Sequence, residues 1–214
     1  MSRRASFDPS RRLWLAGALA ALFAPDVSAA PGAAAFQPRV LELGTRLDRL
    51  RQAGAAQWAF ELMRRTSAPA LVAVREVRLE RSSLLQAPFV MWSGSGSPRE
   101  LTHAERLALG EFLNLGGVLV VDDQEPQSGE FVRAAQRQVA GLLPEHRPRE
   151  LEPTHVLFKS FYLLDRPEGR QPGPNRLTAI VRSGQLQVLF LQQDLLGALA
   201  RDGEGWAMSV TPGG

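Results

Sequence analysis

Cysteine is absent from all 214 residues. Disulfides, thiolate metal centres and thiol nucleophiles are thereby excluded in any compartment. Lysine is nearly absent too: Lys159 is the only one, so almost every cation is an arginine. The three histidines, His103, His146 and His155, are scattered, and with no cysteine beside them no zinc or other metal site is expected. No cofactor motif emerges either. Long apolar runs are also missing: the longest near the start, Leu13 to Phe23, is about a dozen residues, whereas a membrane-spanning helix needs roughly 20.

What is present begins with an export signal. A basic patch leads through that apolar run into small residues, the layout of a cleavable signal peptide over residues 1–29. Ser10-Arg11-Arg12-Leu13-Trp14-Leu15 resembles the twin-arginine pattern, and Val27-Ser28-Ala29 supplies the small residues that a signal peptidase requires, with cleavage after Ala29. Residues 30–38 are a linker of small residues and proline, and residues 39–214 form one domain. A periplasmic or exported protein with no anchor after cleavage is expected. Removing residues 1–29 takes four arginines and two aspartates and leaves 21 basic against 20 acidic residues. A neutral domain of this kind gives no reason to expect nucleic-acid binding.

Within the domain the sequence predicts a short strand at Arg39 to Leu43 and a helix from about Arg46 to Thr66, which Gly54 could split. Strands are predicted at Ala70 to Leu79 and Ala87 to Trp92. Thr102 and Glu105 have capping-box spacing. They start a helix that should run to about Leu115, burying Ala104, Leu107, Ala108 and Phe112, with Gly116 as its stop. Val118 to Val121 are four aliphatics without polar alternation, the mark of a strand covered on both faces. Ser128 is a plausible cap for a helix over residues 129–142, with Phe131, Ala135, Val139 and Leu142 inward. Strand, helix, strand, helix in that order predicts right-handed crossovers and a three-layer α/β fold. Near the end, Leu177 to Arg182 and Gln185 to Gln192 flank Ser183-Gly184 and predict a β-hairpin, followed by a turn with no closing element.

Ligands of open α/β sheets bind at the carboxyl ends of the strands. Two candidate segments fall there: the loop of Ser93, Gly94, Ser95 and Gly96, and the pair Asp122 and Asp123. Consecutive strand residues point to opposite faces, so the two carboxylates should not act on one ligand together. One would accept backbone N–H bonds from neighbouring loops while the other faces the cleft. His155, in the apolar run from Thr154 to Tyr162, is the third candidate, because an imidazole beside a carboxylate is the minimum for acid–base work at neutral pH. Serine hydrolysis centred on Ser95 is poorly supported, since Ser93 and Ser97 stand where the nucleophile elbow has glycines. The dinucleotide fingerprint fails at Arg99, where it requires a glycine.

The stretch FVMWSGSG, the helix begun by Thr102, LGGVLVVDD, the helix of Phe131, and His155 with Phe158, Phe161 and Tyr162 together resemble the bacterial family called domain of unknown function 4159. The resemblance spans about residues 38 to 212. It implies a flavodoxin-like fold related to the class I glutamine amidotransferases, with a mostly parallel sheet, and partners among envelope or membrane proteins. Glutaminase chemistry is excluded because its cysteine is missing. Members often carry a histidine in the glycine loop, where this chain has Gly94-Ser95-Gly96, and usually continue into a last helix, so a truncated C-terminus is expected here. The combined expectation is an envelope-associated binding or interaction module without catalysis. The alternative is a hydrolase that uses Asp122 or Asp123 with His155 on a sugar-like or other small substrate.

Overall fold

The computed structural model describes residues 35–43, 46–152, 154–158, 167, 169–171 and 173–201. The signal segment, Phe161 and Tyr162 lie outside these residues. The order of elements is β1 (Arg39–Leu41), α1 (Arg49–Thr66), β2 (Arg75–Val77), α2 (Arg81–Leu84), β3 (Phe89–Gly94), α3 (His103–Asn114) and β4 (Val118–Asp123). There follow α4 (Glu130–Ala140), β5 (Arg149–Glu150), a 3-10 turn (Val156–Phe158), β6 (Thr178–Arg182), β7 (Gln185–Leu191) and α5 (Leu195–Leu199).

The strands make one sheet in the order β2-β1-β3-β4-β7-β6-β5. Five of them, β2 to β7 in that order, pair in parallel, while β6 and β5 extend the sheet antiparallel to their neighbours. Each face has its own core, as the two-residue period of a strand requires. Val40, Phe89, Met91, Val120 and Leu189 pack against Trp58 and Ala55 of α1 and Leu195, Leu196 and Leu199 of α5. Leu41, Val90, Trp92, Leu119, Val121 and Phe190 pack on the other face against Leu84 of α2, Phe112 of α3 and Phe131 and Val139 of α4. The mostly parallel layered α/β architecture expected from the sequence is present, and β4, whose Leu119, Val120 and Val121 are fully buried, is a central strand.

Local signals hold in several places. Thr102 and Glu105 form the reciprocal capping box, and Gly116 follows the helix at φ +89°. The hairpin turns through Ser183 and Gly184, both at positive φ. Elsewhere tertiary packing overrode them. α1 is unbroken because Gly54 marks a close approach: a Cβ there would stand 1.8 Å from the Leu196 carbonyl oxygen. Only Arg75–Val77 of the long β-prone run pairs as a strand, with Ala70 in an isolated bridge to Phe36. The buried face of α3 is Ala108, Leu109, Phe112 and Leu113; Ala104 and Leu107 are exposed. Gly129, in the left-handed conformation, caps α4, one residue after Ser128, whose hydroxyl accepts from the Glu130 N–H. The turn expected to end the chain lies outside the described residues, and within them sequence reading missed one element, the helix α5.

Candidate functional site

At the carboxyl edge of the sheet, adjacent strands send their following helices to opposite faces in two regions. Around β1, α1 lies opposite both α2 and α3, which follow the neighbouring strands β2 and β3; between β4 and β7, α4 lies opposite α5. Such divergence opens the crevices in which doubly wound sheets bind ligands. Beside the first is a cleft of about 400 Å³ lined by Glu42, Arg46, Arg78, Leu79, Glu80 and Glu105. The second is filled by the protein's own side chains.

The filling begins with Asp122. Its neighbour Val120 faces the α1/α5 layer, so by alternation Asp122 does too. Its Oδ1 accepts from the Leu195 N–H at 2.8 Å and its Oδ2 from the Leu196 N–H at 3.3 Å. The Ser93 hydroxyl is 3.3 Å from Oδ2 and accepts in turn from the Gln124 amide at 3.2 Å. Complete burial, and then the charge of Asp194, push the Asp122 carboxyl up to about 7.

Asp194 is the centre of the network. It is fully buried and sits at φ +50°, a left-handed conformation uncommon for a residue with a side chain. Its backbone N–H donates to the Asp123 carbonyl at 3.1 Å. Its carboxylate accepts from Arg51 Nε at 3.2 Å, from Arg51 Nη2 at 3.1 Å and from the Gly197 N–H at 3.2 Å, and pairs with Arg170. Arg51 also pairs with Asp48, the N-cap of α1, and these two carboxylates raise its pKa against the opposing effect of burial.

Asp123 points the other way, toward α4, as expected. Its Oδ1 accepts from the Glu125 N–H at 2.9 Å, while its buried Oδ2 has no hydrogen-bond partner. Burial raises its pKa. Both aspartates are wholly inaccessible, so neither faces an open cleft.

The glycine loop divides in two. Ser93 and Gly94 are the last residues of β3 and are buried, so they belong to the strand; Ser95 is exposed beyond it and Gly96 turns the chain at φ +59°. Gly94 is small for a packing reason. A Cβ there would stand 2.4 Å from the Phe131 ring, which meets Trp92 edge-on with centroids 5.6 Å apart. His155 is half-buried after β5 at the far side of the sheet, and its contacts are local. Its N–H donates to the Glu152 carbonyl, its Nδ1 accepts from the Leu157 N–H at 3.2 Å, and burial with the nearby Arg149 lowers its pKa. The structure therefore joins Ser93 to Asp122, separates Asp122 from Asp123, and gives His155 hydrogen bonds to neither. Among the described residues no group of three or more His, Asp or Glu side chains is arranged to hold a metal, and no helix is long and apolar enough to cross a membrane.

The domain of unknown function 4159 matches residues 39–212. The chain belongs to this family. No curated protein matches it. Membership thus covers both crevices and the buried network, and assigns no chemistry to any of them.

Proposed function

We propose that the chain is an exported, envelope-associated binding or interaction module that carries out no reaction of its own. The observation that carries this reading is the state of Asp122: the carboxylate best placed for acid–base work is enclosed, with both oxygens held by the backbone N–H groups of Leu195 and Leu196. The open concavity, at Glu42, Arg46, Arg78 and Glu80, offers charged surface for recognition. A class I glutamine amidotransferase-like ancestry fits the parallel order β2-β1-β3-β4-β7, which follows the 2-1-3-4-5 pattern of flavodoxin-like sheets. Export rests on Arg11, Arg12 and the small residues before Ala30. Changing Arg11 and Arg12 to lysine should stop transport if the twin-arginine route carries the protein; unchanged periplasmic yield would assign it to the general route.

The hydrolase reading keeps one supporting observation, a carboxyl group that titrates near neutrality beside the Ser93 hydroxyl. Asp122→Asn and His155→Ala separate the two readings. On the module reading neither the wild type nor either variant shows a turnover in substrate screens. A wild-type activity that disappears with either change at unchanged stability would overturn it.

A further inference from the structure

Helix α1 is apolar on two sides. Ala55, Trp58 and Leu62 are its buried stripe, as a helix that covers a sheet requires. The side turned outward carries a second stripe, Ala53, Ala56, Phe60 and Met63, whose spacings of three, four and three residues set them along one face. Phe60 and Met63 are 43% and 40% exposed, and in the chain that follows the helix Leu71 and Val72 are 52% and 47% exposed. The Leu71 N–H donates to the Phe36 carbonyl at 2.7 Å, and the Phe36 ring meets Trp58 edge-on with centroids 5.4 Å apart, so this chain runs beside the same half of α1. Four of the eight large apolar side chains exposed among the described residues thus fall between residues 60 and 72. Single exposed apolar residues are ordinary; a group of them marks a contact surface.

The charge around this group has one sign. From Arg49 to Arg75 the sequence holds five arginines and a single acid, Glu61. Glu61 is buried, and its carboxylate accepts from both Arg64 and Arg65. Arg49, Arg64 and Arg75 are exposed, and the acids that flank the stretch, Asp48 and Glu76, are paired with Arg51 and Arg46. A domain of nearly balanced charge therefore sets its grouped apolar side chains among arginines.

We propose that this side of the molecule docks on an anionic lipid bilayer, with Phe60, Met63, Leu71 and Val72 entering the headgroup region and Arg49, Arg64 and Arg75 meeting the lipid phosphates. The proposal rests on the reading of the protein as an envelope-associated module and gives that module its partner. An apolar stripe with cations beside it is what a helix lying in the interface plane presents to a membrane. Here the sheet occupies the side that faces water in a free helix. Arginine suits the position because its stem lies along apolar groups while the guanidinium stays at the level of the phosphates, which it can bind through two N–H groups at once.

The absence of cysteine supplies the test, since one introduced thiol carries one label. In the full protein, Met63→Cys bearing a polarity-sensitive dye should emit at shorter wavelength with vesicles of phosphatidylglycerol and phosphatidylcholine, and be unchanged by phosphatidylcholine alone. The same dye on Leu107→Cys, in the helix that covers the opposite face of the sheet, should respond to neither. In the labelled Met63→Cys protein, Arg49→Gln and Arg75→Gln should each raise the lipid concentration at half response roughly fivefold, and Phe60→Gln combined with Leu71→Gln should remove the shift. If Met63→Cys does not fold, Val72→Cys takes its place with the same expectation. A dye at position 63 or 72 that does not respond, responds equally to both vesicles, or responds no more than the dye at position 107 overturns the docking surface. A shift that grows with protein concentration in the absence of lipid assigns the patch to a second copy of the chain and overturns it as well. Each of these failures leaves the module reading standing, whereas turnover in substrate screens would overturn that reading and leave the lipid response intact.

Discussion

Asp122 keeps its proton to about pH 7, against an ordinary value of 3.8, because burial and then Asp194 penalise its charge more than the Leu195 and Leu196 amides favour it. The folded state therefore binds this proton more tightly than the unfolded chain. Stability from this group is fully present below the unfolded pKa and declines as pH rises through the folded one. His155 works in the opposite sense, since its lowered pKa makes the unfolded state the better proton acceptor. The measurable quantity is thus a difference between proteins. Urea unfolding at pH 5 and pH 8 should show Asp122→Asn losing less stability over that interval than wild type, by on the order of 2 kcal/mol. An identical loss in both would mean that Asp122 is ionised throughout. The opposite orientation of Asp122 and Asp123 was legible in the sequence because it needs only the strand period. Asp194 was not, because its partners are 143 residues away at Arg51 and 24 away at Arg170.

Helix ends were readable for the same local reason, while helix faces were less so. α3 offers apolar residues on more of its circumference than the sheet covers, with Ala104 and Leu107 as available as Leu109 and Leu113. Packing against β3 and β4 selected Leu109 and Leu113 and left Leu107 62% exposed. Truncation should separate them: Leu109→Ala should cost about 2–5 kcal/mol, and Leu107→Ala within about 0.5 kcal/mol of nothing, both from denaturant midpoints at constant slope. Comparable costs would mean that Leu107 is covered in solution. Gly54 and Gly94 carry the same lesson. Each resembles a breaker or a ligand loop in sequence, and each is small because the carbonyl of Leu196 or the ring of Phe131 occupies the place of a side chain.

Across the whole molecule, Arg51, Asp194 and Asp122 tie the start of α1 to α5 and to the ends of β4 and β7. Removing the arginine from such a group of charges leaves the buried Asp194 with one fewer partner. Arg51→Ala should cost about 3–5 kcal/mol and remain a single cooperative transition when followed by both tryptophan fluorescence and far-ultraviolet dichroism. A small cost would place Arg170 as the principal partner of Asp194. The layered class of the fold was legible from the run of strands and helices. The insertion of β7 beside β4 was not, since no local pattern names a strand's neighbours.

That insertion also sets a schedule for biosynthesis. β4 is complete at residue 123, but one of its two parallel neighbours is residues 185–191. Throughout the making of the intervening chain, the aliphatic run Val118 to Val121 has an open side with unpaired backbone groups, the kind of edge that recruits other strands. Pairing across so long a separation is also slow. Whatever attends the newly made chain must shield that strand until the hairpin arrives, and a ribosome stalled before residue 185 would release a species prone to clump through β4.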